Sequence, residues 1–229
     1  MELLFVRHAQ PAWVEDGISR LDPQLTPVGL RQAEHFGPRA ATFGPVDELW
    51  VSPTRRTRQT AEPIARALGM EPVIYDWLEE IRLPPEWDGV PAEKMGPAFR
   101  AAKLRPPAEW WDGLGTGEPF TDFHRRVTAG LDEELGVRGV TVQHDEHDTR
   151  VFDMPDDHRR IIVVGHGGTN SVAIAHLLGL PPVPWSWERF VLMHASVSRL
   201  RSTSLLGGRI FGMRQMSDVS HLPEALVTR

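Results

Sequence analysis

Short apolar runs alternate with helix-like segments along much of the chain. Residues 3–6 have the length and composition of a buried strand, and comparable runs lie at 48–51 and in "RRIIVVG" before His166. Strands that alternate with helices predict a parallel sheet whose faces are both covered. We therefore predict an α/β fold, a three-layer sandwich with a mostly parallel sheet, helices on both faces and an inserted cap.

Capping and helix-breaking residues set the expected limits of two helices. Thr26 is the predicted N-cap of the first helix, because its hydroxyl can accept a hydrogen bond from the first turn. Gly37-Pro38 should kink or split that helix, since proline has no backbone N–H to donate. Ser52 is the predicted N-cap of the second helix, which Gly69 should end.

The alternation stops in a segment rich in proline, glycine and tryptophan. We expect a cap insertion at about 83–119, inside one domain that spans residues 1–229. A β-hairpin is predicted at about 138–154, with the polar tip "HDEHD", and it is a candidate element for association into a homodimer. The tip could bind a metal ion, but neighbouring ligands on a tip rarely converge, so a solvated tip is favoured.

Two clusters of tryptophan stand out, "WW" at 110–111 and "WSW" at 185–187. They could form a stacking site for a sugar or a base. Packing of the cap onto the core is the favoured interpretation, because large aromatic side chains contribute most of their stabilisation by burial.

Charge and composition restrict the partners. The formal net charge is −6, so the chain has no overall attraction for nucleic acid or for an anionic membrane. The absence of cysteine excludes disulfides and thiolate chemistry. Neither a signal peptide nor a membrane-spanning run is visible, and we expect a cytoplasmic protein. Any anion that it binds must therefore be held by a local cluster of cations.

Chemically active residues follow the predicted strands. The strand ends and the segments after them carry Arg7-His8, then Arg55, Arg56 and Arg58, then Glu79-Glu80, and finally His166-Gly167-Gly168. Ligands of parallel α/β sheets bind beyond the carboxyl ends of the strands. Imidazole can attack phosphorus, guanidinium groups bind its oxygens, a carboxylic acid can protonate the departing alcohol, and a glycine turn can expose N–H groups. The set therefore suits a phosphoryl group.

Five segments in this order resemble the histidine phosphatase superfamily, the phosphoglycerate-mutase-like group. They are "RHA", "LTPVGLRQA", "SPTRRTRQTA", "LEEI" and "VVGHGGTN". The resemblance runs from residue 5 to about residue 175, and the ending from "HASVSRLRS" to "SDVSHLP" is also similar.

The resemblance implies a role for particular residues. His8 would be the nucleophile that becomes phosphorylated, and His166 the second histidine. Arg7 and Arg56 would bind the phosphate, and Glu80, rather than its neighbour Glu79, would be the acid. No metal ion or other cofactor is expected.

The chain departs from the family pattern near the nucleophile. Many relatives have glycine where this chain has Ala9, and a polar side chain where it has Val14. One phosphate contact is therefore expected to come from elsewhere. The candidates are Gln10, Thr169 and Asn170. Gly167, in the glycine turn after His166, is also expected to bind the phosphate.

The expected function is a phosphatase that hydrolyses a small phosphomonoester through a phosphohistidine at His8. One alternative is a phosphoglycerate mutase that uses the same residues, although the cap's Arg100, Lys103 and Arg105 do not form the basic stretch of such mutases. Another is a non-catalytic protein that binds a phosphorylated ligand. The full set of His8, Glu80 and His166 argues against it, since binding needs no nucleophile.

Overall fold

The fold is built on one large mixed sheet. The computed structural model describes residues 1–144, 150–156, 158–205 and 207–229. Its strands there are β1 (Glu2–Arg7), β2 (Val14–Glu15), β3 (Ile18–Ser19), β4 (Glu48–Val51), β5 (Val73–Ile74), β6 (Thr141–His144), β7 (Arg150–Asp153), β8 (Arg160–Gly165), β9 (Val197–Leu205) and β10 (Gly208–Asp218). The main sheet has the order β5-β4-β8-β1-β9-β10-β7-β6, and β2 pairs with β3 in a separate ribbon.

Helices cover the sheet. They are α1 (Pro27–Ala41), α2 (Arg55–Leu68), α3 (Met95–Lys103), α4 (Phe120–Val137) and α5 (Gly167–Leu177). Across the part of the chain that the structure describes, none of the helices has the combination of length and apolar character needed to cross a membrane.

Half of the sheet is parallel. Strands β5, β4, β8 and β1 are parallel neighbours, whereas β9, β10, β7 and β6 continue the sheet with antiparallel pairing. The predicted α/β sheet with helices on both faces is confirmed. The parallel half brings the ends of β1, β4 and β8 to one edge.

The alternation of side chains along the central strands divides the core into two layers. Leu3 and Phe5 of β1 belong to one cluster with the apolar side chains of α4 and α5, whereas Leu4 and Val6 belong to the other, with α1 and α2. All four side chains are at most 1% exposed. Burial of one such side chain stabilises the fold by roughly 1.5–3 kcal/mol, which anchors the strand beneath its polar end.

Helix α1 begins as predicted but runs on further. The hydroxyl of Thr26 accepts a hydrogen bond from Gly29 N, and the N-cap prediction is confirmed. The chain does not split at Gly37-Pro38, since one helix runs through both residues. A Cβ atom on Gly37 would lie 2.8 Å from the carbonyl oxygen of Pro63. Glycine at this position thus allows α1 to pack closely on α2. That packing supports the helical turn at Pro38, whose missing N–H removes one backbone hydrogen bond.

The predicted N-cap of α2 is wrong, and its predicted end is confirmed. The N-cap is Thr54, two residues after Ser52, whose hydroxyl is hydrogen-bonded to Nε2 of His166 at 2.8 Å. Gly69 ends the helix in the left-handed conformation, with φ of 64°. The hydroxyl of Ser52 is therefore engaged by a side chain far along the chain and does not cap α2.

The segment between β5 and α4 consists mainly of short helical turns and α3. The ribbon β2–β3 joins it to the loop after His8, through a bridge between Ile18 and Pro91 and a hydrogen bond from Ser19 N to Val90 O of 2.8 Å. Elsewhere, β6 and β7 pair antiparallel. Most of the polar tip "HDEHD" lies outside the described residues.

Candidate active site

Two histidines meet where β1 and β8 end. The strands pair in parallel with Arg7 opposite Gly165, and His8 N donates to Gly165 O at 2.9 Å. The next residue, His166, is the N-cap of α5. The ring centroids of His8 and His166 are 5.1 Å apart, and both side chains are buried.

The hydrogen bond of His8 defines its tautomer. Its Nδ1 lies 2.8 Å from the carbonyl oxygen of Ala9. A carbonyl oxygen can only accept, so Nδ1 carries the proton and the Nε2 atom of the neutral ring keeps its lone pair. Burial, followed by the charges of Arg56 and Arg7, lowers the pKa of His8 well below its usual value. The ring is therefore neutral and has a nucleophilic nitrogen.

His166 is held neutral for similar reasons. Burial is the largest cause of its strongly lowered pKa, and the charge of Arg56 adds to it. Its Nε2 is hydrogen-bonded to Ser52, whereas Nδ1 is buried with no hydrogen-bond partner among the described residues. A buried polar atom without a partner is costly, so a bound ligand that engaged it would be stabilised.

The two arginines retain unused donors. Arg7 donates to Leu192 O and, at 3.2 Å, from Nη2 to Nε2 of His194. Among the described residues, the hydrogen bonds of Arg56 are long, 3.4 Å to Leu21 O and 3.5 Å to Oδ1 of Asp22. In the described structure, neither buried Nε atom has a partner.

Burial lowers the pKa of Arg56 to about 10, and the charge of Glu80 opposes that effect. The guanidinium is still charged at neutral pH. Two desolvated guanidinium groups with unpaired N–H donors form a suitable site for a phosphate.

The carboxylate of Glu80 lies on the N-terminus of α5. It accepts hydrogen bonds from Gly168 N at 2.8 Å and from Thr169 N at 3.1 Å. A Cβ atom on Gly168 would lie 2.3 Å from Oε1 of Glu80, so the glycine allows this approach. The helix dipole and two N–H donors therefore hold the acidic group at the same edge as the histidines.

Arg126 supports the loop that carries Glu80. Its guanidinium donates to the carbonyl oxygens of Trp77 and Glu79, each at 3.1 Å, and to that of Glu80 at 3.3 Å. Glu118 pairs with the same guanidinium at 2.7 Å. The sequence patterns did not point to Arg126, because its partners are backbone atoms.

The other predicted phosphate contacts differ in position. Gly167 lines the cavity beside Arg7 and His8. Thr169 donates from Oγ1 to Glu79 O at 2.8 Å, and the side chain of Gln10 accepts from Oγ1 of Thr26 at 2.7 Å. In this structure, the hydroxyl of Thr169 and the side-chain oxygen of Gln10 are thus engaged by protein atoms.

Val14 is exposed in the ribbon, but its neighbour Trp13 lies in the site. The indole ring stacks on the guanidinium of Arg56, 4.8 Å from its centroid, and lies edge-on to His8. Cation–π contact stabilises the cation and covers it from water. The sequence patterns did not point to Trp13, because its partner Arg56 lies on a different element.

His194 was also missed. Its Nε2 accepts from Arg7, so Nδ1 carries the proton and donates to Oγ1 of Thr228 at 2.9 Å. The imidazole ring is 5.8 Å from that of His8. His194 therefore orients Arg7, and the sequence offered no signal because both partners are far away along the chain.

We expect His194 to make the fold sensitive to acid. Burial, with a smaller effect of Arg7, lowers its pKa to about 3. In the unfolded chain, this histidine takes up a proton near pH 6.5. Between pH 6.5 and pH 3 the unfolded state therefore binds more protons than the folded state, and the free energy of unfolding decreases as the pH is lowered. From pH 7 to pH 5, the parent should lose roughly 2 kcal/mol more free energy of unfolding than His194→Asn. Denaturant titrations at both pH values measure this difference, and equal losses would contradict it.

A cavity of about 790 Å³ opens above these groups. Arg7, His8, Arg56, Glu80 and Gly167 line one end of it. Its remaining wall comes largely from the loops and turns around α3 and from residues that follow α5. Within the described ranges, no three His, Cys, Asp or Glu side chains are close enough to hold a metal ion together.

The chain is similar in sequence to proteins named as phosphatases and as mutases. The chain is 30% identical over 185 residues to a Hydrogenobacter thermophilus protein named "Putative phosphoserine phosphatase 2", with 78% of this chain and 79% of that protein covered. It is 27% identical over 236 residues to the "Probable phosphoglycerate mutase GpmB" of Erwinia tasmaniensis, with 98% and 96% covered.

A solved structure has the same fold. The mycobacterial glucosyl-3-phosphoglycerate phosphatase superposes with a TM-score of 0.68 at 21% identity, with 94% of this chain and 98% of that chain covered. The sequence profile of the histidine phosphatase superfamily (branch 1) matches residues 3–205. This match extends over most of the chain, which therefore belongs to the histidine phosphatase superfamily.

Proposed function

We propose that the protein is a phosphatase that hydrolyses a small phosphomonoester through a phosphohistidine at His8. One observation carries the proposal. His8 is a neutral, buried imidazole with its proton held on Nδ1, and it lines a cavity together with two arginines and a carboxylate. This combination provides a nucleophile, an anion site and a proton donor.

The phosphate would bind between Arg7 and Arg56. Both guanidinium groups have an Nε–H without a partner in the described structure, and phosphate oxygens would satisfy these donors. The N–H groups of the α5 N-terminus near Gly167 add to the positive potential there. Because the site is desolvated, each charge–charge contact is stronger than it would be in water.

In the first step, the lone pair on Nε2 of His8 forms a bond to phosphorus as the ester P–O bond breaks. The bonding electrons leave with the ester oxygen, which takes a proton from Glu80 in its protonated, carboxylic acid form. The products of this step are an alcohol and phosphohistidine 8. Charge on the transferring group is balanced by Arg7, Arg56 and a donor from His166.

In the second step, water attacks phosphohistidine 8 and Glu80 accepts a proton from it. The P–N bond breaks and its electron pair returns to Nε2 of His8, so the enzyme is restored and inorganic phosphate leaves. The two steps together consume one water for each ester. No redox partner or metal ion takes part in the proposed sequence.

Hydrolysis is favoured over mutase action by the state of the cap cations. A mutase has to bind a second phosphate far from the first. Lys103 is paired with Glu188 at 2.8 Å, and Arg105 donates to Gly113 O at 2.6 Å. Relatives named as phosphatases and as mutases are both consistent with family membership. The phosphatase is favoured because Lys103 and Arg105 are engaged, and Arg100 is not among the described residues that line the cavity.

Product analysis with 3-phosphoglycerate tests this preference. With excess chelator present, we expect release of inorganic phosphate or no reaction, since Lys103 and Arg105 of the cap are already engaged and the proposed steps need no metal. The assay follows phosphate and 2-phosphoglycerate in parallel, with and without a bisphosphoglycerate primer. Efficient conversion to 2-phosphoglycerate that the primer stimulates would establish the mutase instead. Activity that vanishes with chelator and returns only with a divalent ion would contradict the metal-free mechanism.

A further inference from the structure

The cavity above the proposed phosphate site has an aromatic wall. Its described lining includes Trp13, Phe99, Trp110, Trp185, Trp187 and Phe190. We propose that this wall is a subsite for the organic part of the substrate, which is an uncharged group that carries a flat aromatic ring. This inference rests on the proposed phosphatase activity and assigns its substrate class.

The wall begins next to the proposed acid. A Cβ atom on Gly168 would lie 3.1 Å from Cε3 of Trp187, and the N–H of Gly168 donates to Glu80. Because Glu80 protonates the leaving oxygen, the carbon skeleton attached to that oxygen must emerge beside Trp187. The leaving group therefore meets an indole ring first.

Packing holds Trp187 in place. Its ring centroid is 5.1 Å from that of Trp185 and 6.4 Å and 6.5 Å from those of Phe120 and Phe123. These edge-to-face and tilted contacts connect it to the buried core. An aromatic surface that is already ordered binds a ring at a lower entropic cost than a flexible one.

The adjacent residues Trp110 and Trp111 have different roles. Trp111 packs edge-on against Phe120, with centroids 5.4 Å apart, as expected for a side chain that joins the cap to the core. Trp110 lines the cavity, and its indole N–H donates to Arg105 O at 2.8 Å. That bond fixes the ring and satisfies its polar atom, which leaves an apolar face for a ligand.

Charge favours a neutral organic group. The described carboxylates of the outer cavity already have partners, with Glu79 bound to Arg82 at 2.6 Å and Glu118 to Arg126 at 2.7 Å. Glu188 pairs with Lys103, and Arg229 lies 3.6 Å from Glu188. A second anionic group on the substrate would compete with these carboxylates for the same cations, whereas a neutral ring would leave the pairings intact.

Two alkyl phosphates that differ only in the ring test the subsite. 2-Phenylethyl phosphate and ethyl phosphate have leaving alcohols of similar acidity, so a difference in kcat/KM reports binding of the ring. We expect the phenylethyl ester to be favoured roughly tenfold or more, from aromatic packing and burial. The matched phosphonates, which cannot be hydrolysed, should show the same preference in calorimetric titrations.

Variants in the wall should reduce that preference. Trp187→Ala and, separately, Trp110→Ala should lower the ratio of the two kcat/KM values several-fold. Leu104→Ala is the control on the cap, because Leu104 is 85% exposed, and its ratio should equal the parent's. Two independent wall variants keep the test valid if one of them fails to fold.

The outcomes separate this inference from the proposed function. Hydrolysis of both esters without a preference for the ring would overturn the subsite and leave the phosphatase intact. If neither ester is hydrolysed, the proposed function fails, and the phosphonate titrations then decide the subsite alone. Equal or undetectable binding of the two phosphonates would refute it, as would stronger binding of 3-phosphoglycerate than of the phenylethyl phosphonate.

Discussion

Replacing His8 with alanine should reduce turnover of a phosphomonoester by about 10⁴-fold or more, the order of magnitude found when a covalent nucleophile is removed. The expectation follows from its environment. The ring is neutral, its Nδ1–H is bound to Ala9 O, and it lies opposite His166 in a buried site. Without the imidazole, the phosphate can still bind between the arginines, but no protein atom can take up the phosphoryl group.

Rapid quenching with a labelled substrate measures this prediction. The parent should carry an acid-labile phosphoryl label before the first turnover ends, and His8→Ala should carry none. His35→Ala is a suitable control, because His35 is exposed on α1 and its loss should alter neither the label nor the rate. Turnover by His8→Ala at a rate near the parent's would exclude the phosphohistidine mechanism.

Glu80→Gln should slow hydrolysis of an alkyl phosphate by about 10²–10⁴-fold, or roughly 3–5 kcal/mol of barrier, the usual effect of losing a general acid and base. Glutamine keeps the shape of the side chain and an oxygen for the N–H of Gly168, so the loss reports proton transfer more than position. An aryl phosphate should lose less, because its leaving group needs little protonation.

Glu79→Gln is the matched control for this variant. Glu79 is bound to Arg82, whose side chain is 57% exposed, and replacing it should change the rates little. Steady-state rates on an ethyl and a nitrophenyl ester, measured for both variants, distinguish acid–base catalysis from a structural effect. Because attack of water in the second step is common to both esters, the comparison uses kcat/KM, which reports the first step. Equal losses in kcat/KM on the two esters by Glu80→Gln would contradict the assigned role.

Local patterns in the sequence determined much of the framework. The Thr26 cap and the Gly69 stop depend on the conformations of a few adjacent residues, and the buried strands depend on runs of apolar side chains. Such preferences act over one or two helical turns and do not require the rest of the chain. The order of the motifs likewise identified the superfamily and a set of candidate residues.

Local rules failed where a distant partner competed. Ser52 follows the pattern of an N-cap, but its hydroxyl is bonded to His166, which is separated from it by 114 positions. The predicted split at Gly37-Pro38 does not occur, and α1 packs closely on α2 at Gly37. In both places, a tertiary contact outweighed a preference of about 1–3 kcal/mol.

The tertiary structure alone decided which residues surround the candidate site. His194 contacts Arg7 across 187 positions, and Arg126 reaches the backbone of Glu80 across 46. Only folding brings such residues together, and bonds to backbone atoms or to single side chains leave no periodic trace in a sequence. Sequence pattern therefore predicted the fold class, and the order of the motifs indicated the family and the candidate reactive groups. Packing decided how each group is oriented, which tryptophans face the cavity, and which charges are already paired.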